Sequence, residues 1–344
     1  MELDLDLIKE SLVEPIRKES ELIKLIKQIK NNFTVERDKI DQYCLDQKMV
    51  SAYTTFYLTT NVPKFSFVFA QLSEKLKNLF QEYDFIDFGT GPGTYILAHH
   101  LQIPEFKGNY YGVDASELML KQASKLLFKY GVNKESLSLS SEPPKDNSKK
   151  KILFFGNSLN EIGPSLFKRI RNELDPEIVF FLEPGTKESF NNILNVREEL
   201  FQKDYHCHFP CPSGLTRCFM GNSDNWCHQV FRHIHDEETQ RLCQLVQLDR
   251  NVMPLIAHVY CKALKRTSEK LEGFMVRRLK ESKHSFKWQV CLDNIKYSGL
   301  FEVELHKKNF SKSELKKMKK ISTGLKFNFQ VEKQLGDKKL RISL

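Results

Sequence analysis

The first thirty residues place apolar side chains at Leu7, Ile8, Leu12, Ile16, Leu22, Leu25 and Ile29, with charged residues between them. Recurrence every three or four positions puts these side chains on one stripe, so residues 3–30 are expected to form one or two amphipathic helices. A second helical stretch is expected over about 35–80, punctuated by Pro63. The pattern then changes: 83–88, 109–113, 151–156 and 178–182 are short apolar runs separated by helix-like segments. Strands alternating with helices imply an α/β fold with a parallel sheet covered on both faces. A Cys- and His-rich stretch follows at 206–235. Beyond it, 287–292, 300–306, 326–332 and 339–344 are further strand candidates, and Ser311 and Glu314 stand at capping-box spacing before a helix over about 312–320. The Ser/Pro/Lys-rich residues 136–150 read as a loop. The expected organisation is a helical N-terminal cap (1–80), a central α/β domain (81–205), a Cys/His-rich metal-binding region (206–262) and a small basic β-rich module (263–344).

The chain has 344 residues, 40% hydrophobic and 28% charged, with no run of about eighteen apolar residues such as a membrane-spanning helix needs. Its opening, MELDLDLIKESL, carries acids where a secretory or organellar targeting segment carries bases. A cytoplasmic, bacterial-type monomer with no membrane partner is the expectation. The net charge of +9 is unevenly distributed. Residues 262–344 hold 22 Lys+Arg against 9 Asp+Glu, or +13, and residues 1–261 hold 31 against 35, or −4. Such an asymmetry is what a polyanion-binding face requires, because each base near a phosphate releases condensed counterions; the alternative is a solvated lysine-rich surface. Arg277, Arg278, Lys280, Lys283, Lys287 and the lysines at 316, 317, 319 and 320 are the candidate phosphate contacts.

Asp87-Phe88-Gly89-Thr90-Gly91-Pro92-Gly93-Thr94 follows the first strand candidate and opens a helix. Glycines there let the backbone turn sharply and approach a ligand at a helix N-terminus, where open α/β sheets bind cofactors. A second acid, Asp114, ends the next strand 23 positions beyond Gly91, where a carboxylate can accept from both hydroxyls of a ribose. The combination of Asp87, Gly89, Gly91, Gly93 and Asp114 resembles the first two motifs of the Rossmann-like S-adenosylmethionine (SAM) methyltransferases. That resemblance implies Asp87 beside the methionine end of the cofactor and Asp114 on its ribose. The plainer alternative is a structural glycine turn with a solvated acid. After the fourth strand, Gly156-Asn157-Ser158-Leu159-Asn160-Glu161 shows neither an Asn/Asp-Pro-Pro-aromatic signature nor a cysteine nucleophile. Asn157 either lines the cofactor pocket or caps the next helix. Cofactor binding is therefore better supported than methyl transfer, and the catalytic residues stay unassigned.

Of eight cysteines, Cys207, Cys211, Cys218 and Cys227 fall within 21 residues. Without an export signal, metal or redox roles outrank disulfides, and soft thiolates brought together need a cation to relieve their repulsion. Cys-x-x-Cys knuckles are absent and the gaps after Cys211 and Cys218 are wide, which suits an iron-sulfur cubane as well as or better than zinc. His206, His208, His228, His233 and His235 are alternative ligands; Cys44, Cys243 and Cys261 read individually as buried apolar thiols.

These elements together resemble a family of methyltransferase-like assembly factors of the ribosomal small subunit, found in mitochondria and with bacterial relatives. The resemblance runs over about 45–325 and rests on the segment from Tyr53 to Pro63, Asp87 to Thr94, Leu182-Glu183-Pro184-Gly185-Thr186, Cys211-Pro212, Cys218, Trp226-Cys227-His228 and Val290-Cys291. It implies a SAM fold carrying a four-iron four-sulfur cluster on Cys211, Cys218, Cys227 and Cys291, with Cys207 a spare thiol, and binding to small-subunit rRNA during ribosome assembly. Ser213 and Phe219 depart from the family's His and Pro at those places, which bears on the loops around the cluster. A ligand from Cys291 would staple the basic tail to the body. Two rival readings are a catalytically inactive RNA-binding factor and a zinc-stabilised methyltransferase acting on another substrate.

Overall fold

The described part of the N-terminal region is helical, in keeping with its apolar stripe, and three of its helices start at a capping side chain. The computed structural model describes residues 3–35, 45–145, 149–212, 218–221, 224–265, 272–294, 296–320 and 323–344. Helix α1 (Leu5–Ser11) is capped by Asp4, whose carboxylate accepts from the amides of Asp6 and Leu7. It is followed by α2 (Glu19–Thr34) and by α3 (Gln47–Tyr53), which Asp46 caps. Helix α3 runs through a π turn, Thr54–Leu58, into α4 (Thr59–Phe69). Pro63 was expected to punctuate this stretch and instead lies inside α4. The hydroxyls of Thr54, Thr55, Thr59 and Thr60 donate to carbonyls three or four residues back, so side chains serve acceptors along the widened turn. Helix α5 (Glu74–Glu82) is capped by Ser73.

Alternating strands and helices then build a parallel sheet: β1 (Asp84–Phe88), α6 (Thr94–Gln102), β2 (Tyr110–Val113), α7 (Glu117–Lys129), β3 (Leu137–Ser140) and β4 (Lys151–Gly156). Strand β1 pairs in parallel with β2 and β4, and β3 extends the sheet beyond β2. This 3-2-1-4 order is the first half of a doubly wound, Rossmann-like fold. Every residue of β4 is buried, hence its unbroken apolar run. Strand β3 corrects the expected loop at 136–150: at a sheet edge, two half-buried leucines alternating with exposed serines suffice.

After α8 (Leu159–Leu174), whose Gly163 has a non-helical conformation next to Pro164, come β5 (Ile178–Pro184), α9 (Lys187–Phe201), β6 (His206–Phe209), β7 (Gln229–Arg232), α10 (Glu237–Val246) and β8 (Val252–Cys261). Strand β8 pairs antiparallel with both β5 and β6. A second sheet follows from β9 (Glu272–Glu281), β10 (Ser285–Asp293), β11 (Ser298–His306), β12 (Lys326–Asn328), β13 (Gln330–Gly336) and β14 (Lys339–Ser343), in the order β12-β9-β10-β11-β14-β13. The run at 326–332, expected as one strand, is divided at Phe329 between β12 and β13. Helix α11 (Lys312–Lys320) starts at the expected capping box: the Ser311 amide donates to Glu314 Oε2 (2.7 Å) and the Glu314 amide to Ser311 Oγ (3.3 Å).

The chain divides into two compact units. The first comprises Met1–Ser158, Lys168–Glu177 and Arg232–Met253; the second comprises Leu159–Phe167, Ile178–Phe231 and Pro254–Leu344. One core of the first unit packs Ile26, Ile29, Met49, Phe56, Tyr57, Leu242 and Val246 from α2, α3, the π turn and α10, with Cys243 among them as an apolar thiol. In the second unit the inward residues of the curled sheet, Met275, Trp288, Val290, Val303, Leu305, Leu340 and Ile342, surround Met318 of α11. No helix among the described residues is long and apolar enough to cross a membrane.

Candidate cofactor site and thiol cluster

The glycine turn lies in the first unit, between β1 and α6. Gly89, Gly91 and Gly93 have φ of 76°, 53° and 84°, a region that L side chains enter only with strain. The amides of Gly89 and Thr90 donate to the Val113 carbonyl at 2.8 and 3.0 Å, which ties the turn to the end of β2. A Cβ on Gly89 would meet Ser158 Cβ at 2.5 Å, whereas one on Gly91 would meet nothing within 4 Å. The turn is therefore closed on the Gly89 side and open over Gly91.

The two acids face this turn in different states. Asp87 is fully buried; its Oδ2 accepts from Thr90 Oγ1 (2.8 Å) and its Oδ1 has no partner at hydrogen-bond distance. Burial raises its pKa to about 7, with the charge of Asp114 adding to the rise and the Thr90 hydroxyl and Ile96 amide opposing it. Asp114 Oδ2 accepts from the Gly91 amide (2.8 Å) and Oδ1 from the Ser116 amide (2.9 Å). Burial raises the Asp114 pKa too, and these amides counteract it. Each Asp114 oxygen keeps a second lone pair for another donor. Asn157 adopts a left-handed conformation (φ 59°), and its Nδ2 donates to Tyr95 Oη (3.2 Å). It does not cap α8, whose N-cap is Ser158; Ser158 Oγ donates to the Phe88 carbonyl (2.6 Å). Thr90 and Tyr95 were not singled out from the sequence, although Thr90 lies within the glycine motif.

The thiols lie in the second unit. Cys227 and Cys291 are half-buried, and desolvation first and then neighbouring cysteines push both thiols up: Cys211, Cys218 and Cys291 act on Cys227, and Cys211 and Cys218 on Cys291. Cys218 is raised by burial and by Cys211. The structure thus brings all four expected ligands into one electrostatic neighbourhood, although Cys291 stands 64 positions beyond Cys227 on β10. Among the described residues, the group of three ligand atoms within 4.8 Å of one another is a different one, Cys207, Cys211 and His258. It could hold a single ion, but Arg197 Nη1 already donates to Cys211 Sγ at 3.1 Å. Burial alone would depress the Arg197 guanidinium; Cys211, then Tyr260, Cys207 and Cys218, more than compensate and raise it. His258 Nδ1 pairs with Tyr260 Oη at 2.8 Å, and burial keeps the imidazole neutral.

Two tethers position the surrounding loops. Trp226 Nε1 donates to the Gly185 carbonyl (2.9 Å), and a Cβ on Gly185 would lie 2.5 Å from Pro254. The Glu183-Pro184-Gly185-Thr186 segment therefore anchors the residue before Cys227, and Thr186 caps α9, which carries Arg197. Arg197, His258 and Tyr260 were missed from the sequence because each is a single residue without a spacing signal. His208 Nε2 meets the Leu264 carbonyl at 3.0 Å. His228 Nδ1 is buried without a hydrogen-bond partner, His206 is half-buried on β6, and His233 and His235 belong to the first unit. Cys44 and Ser213 lie outside the described residues.

The candidate phosphate contacts differ in availability. Lys287 Nζ lies 3.1 Å from Glu302, Arg277 Nε donates to Gln289 Oε1 (2.8 Å), and Arg278 Nη2 donates to the Met318 carbonyl (2.6 Å). Lys280, Lys283 and Lys316 are exposed; the side chains of Lys317, Lys319 and Lys320 are outside those described.

Residues 47–322 match a protein family described as "Mitochondrial small ribosomal subunit Rsm22". No curated protein matches the chain significantly. Among solved structures, a SAM-dependent methyltransferase from Aquifex aeolicus is 20% identical, with 45% of this chain and 93% of that chain covered and a TM-score of 0.33. Magnesium protoporphyrin IX methyltransferase from Synechocystis PCC 6803 is 11% identical over 69% of this chain and 96% of its own, at 0.36. A putative RNA methyltransferase from Pyrococcus horikoshii is 9% identical over 52% and 75%, at 0.32.

The glycine geometry makes a stability prediction. Gly91→Ala should cost only the left-handed strain, about 1–2 kcal/mol, whereas Gly89→Ala should cost clearly more because its new methyl meets Ser158 at 2.5 Å. Urea unfolding with unchanged m-values is the measurement; equal losses would show that the Ser158 contact is immaterial.

Proposed function

The chain belongs to the Rsm22 family of the mitochondrial small ribosomal subunit, with 47–322 of its residues matched, and on that premise we propose that it is a SAM-binding, iron-sulfur RNA-binding factor of small-subunit assembly. The observation that carries this reading is the mutual field of Cys211, Cys218, Cys227 and Cys291. A zinc tetrahedron with bonds of about 2.3 Å holds its sulfurs about 3.8 Å apart, and no three of these four sulfurs lie within 4.8 Å of one another among the described residues. A four-iron four-sulfur cubane spreads its ligands more widely and is the better fit to this donor set. Bound there, it would supply a structural cross-link between β10 and the cysteine loops, with a redox couple as its own chemistry.

For the cofactor, the acids of the first unit supply complementary groups. The second lone pairs of Asp114 suit ribose hydroxyls, the buried carboxylate of Asp87 suits the ammonium at the methionine end, and the open backbone at Gly91 permits close approach. Asn157, held by Tyr95, lines the same end of β4. Neither a nucleophilic cysteine nor an Asn/Asp-Pro-Pro-aromatic segment follows β4, so binding is favoured over methyl transfer. RNA recognition falls to the basic third of the chain, with Lys280, Lys283 and Lys316 as exposed contacts and a steep salt dependence of affinity. Tritiated SAM incubated with small-subunit particles discriminates the rivals: label in rRNA supports a methyltransferase, and tight rRNA binding without label supports a non-catalytic assembly factor.

Purified anaerobically, the protein should be brown with about four irons per chain. Cys291→Ser should lose iron and bind small-subunit rRNA more weakly; full iron content with unchanged affinity would remove the stapling role. Asp87 supplies a pH test. Its folded-state pKa of about 7 exceeds its ordinary 3.8, so in the ligand-free protein this group favours the fold fully below about pH 4 and the contribution is lost as pH rises through 7. An ammonium ligand prefers the ionised carboxylate. Calorimetry should therefore show S-adenosylhomocysteine binding strengthening by up to about tenfold per pH unit as pH rises to 7, then levelling off. Asp87→Asn should flatten this profile.

A further inference from the structure

Neither cofactor binding nor RNA recognition requires a cation inside the second unit, yet Arg197 is only 3% exposed. Its position is fixed from several sides. The guanidinium carbon stacks 4.4 Å from the Phe201 ring centroid, one turn further along α9. Tyr260, itself bonded to His258 Nδ1, provides a second hydrogen-bonding partner for the guanidinium. Nη1 is thereby aimed at Cys211 Sγ, 3.1 Å away. Phe201 follows Arg197 at the i, i+4 spacing that places two side chains on one helix face.

We propose that Arg197 is a positioning residue for the cluster, holding the Cys211 sulfur and raising the reduction potential of the centre bound there. This inference rests on the cluster reading above. A cubane on four thiolates is anionic, and reduction adds one further negative charge. A fixed cation with an N–H aimed at one ligand sulfur stabilises the reduced form more than the oxidised form. The planar guanidinium is suited to this role because it can stack on Phe201 and donate edge-on at once, which a lysine ammonium cannot. The low polarity of the buried site keeps that interaction from being screened.

The test compares anaerobically prepared wild-type and Arg197→Gln proteins by iron analysis and by a redox titration followed by electron paramagnetic resonance. Arg197→Gln should keep its iron while its midpoint falls, so that at a fixed potential the ratio of reduced to oxidised centre drops about tenfold, equivalent to 59 mV for a one-electron couple. Full iron with an unchanged midpoint would overturn the proposal. If Arg197→Gln does not fold, Arg197→Lys serves: a smaller fall of the same sign with altered iron–cysteine stretching in resonance Raman supports the role, and no change in either overturns it. Wild-type protein that is colourless or carries zinc would overturn the cluster reading and this inference together, an outcome distinct from an iron-loaded variant with an unmoved midpoint.

Discussion

Thiolates cannot be crowded into a buried volume without positive charge beside them, and the second unit is organised around that constraint. Cys211, Cys218, Cys227 and Cys291 each lie in the field of others of the set, so ionising one makes ionising the next harder. Arg197 supplies one compensating charge from within the chain. Cys211, Cys218 and Cys227 themselves lie outside the described helices and strands, so no strand ladder fixes them. Their placement depends on individual bonds such as Trp226 to Gly185 and Arg197 to Cys211, and on the close approach of Gly185 to Pro254 that only a residue without a side chain permits.

The first unit answers a different electrostatic requirement. There two carboxylates share a glycine turn, and both have pKa values raised by burial. Asp114 is stabilised by two backbone amides, while Asp87, with the Thr90 hydroxyl and the Ile96 amide opposing its desolvation, has one oxygen without a partner at hydrogen-bond distance. A carboxylate so placed is a poor structural element and a good receptor for a cationic group. The protein thus separates its two chemistries: oxygen donors in one unit, sulfur donors in the other.

Where a local pattern encodes an element, the sequence is informative. The buried strands β1, β4 and β5 read directly from their apolar runs, and the capping box of α11 has the expected bonds. Strand β3 was obscured by its four-residue length and edge position, and β9 by a run of bases, Arg277, Arg278 and Lys280, on its exposed half. Strand β8 contains Pro254, a residue that ordinarily argues against a paired strand, near its start. Pro63 lies inside α4, downstream of a π turn, an arrangement no propensity scale encodes. At the sites, the glycines and acids were legible through spacing. Cys291 and Trp226 were singled out only through family resemblance, and Arg197 and Tyr260 required coordinates, because contacts between positions 14 apart (Arg197–Cys211) and 41 apart (Trp226–Gly185) leave no periodic trace.

The division into two units cuts across the order of the chain. The first unit takes residues from before Ser158, from Lys168–Glu177 and from Arg232–Met253, and helix α8 contributes to both. During synthesis from the N-terminus, the first unit stays incomplete until Met253 has been made, by which time most of the cysteine loops have already emerged. No single cleavage of the polypeptide would part the residues of one unit from those of the other, because segments of the two alternate along the chain between Leu159 and Met253.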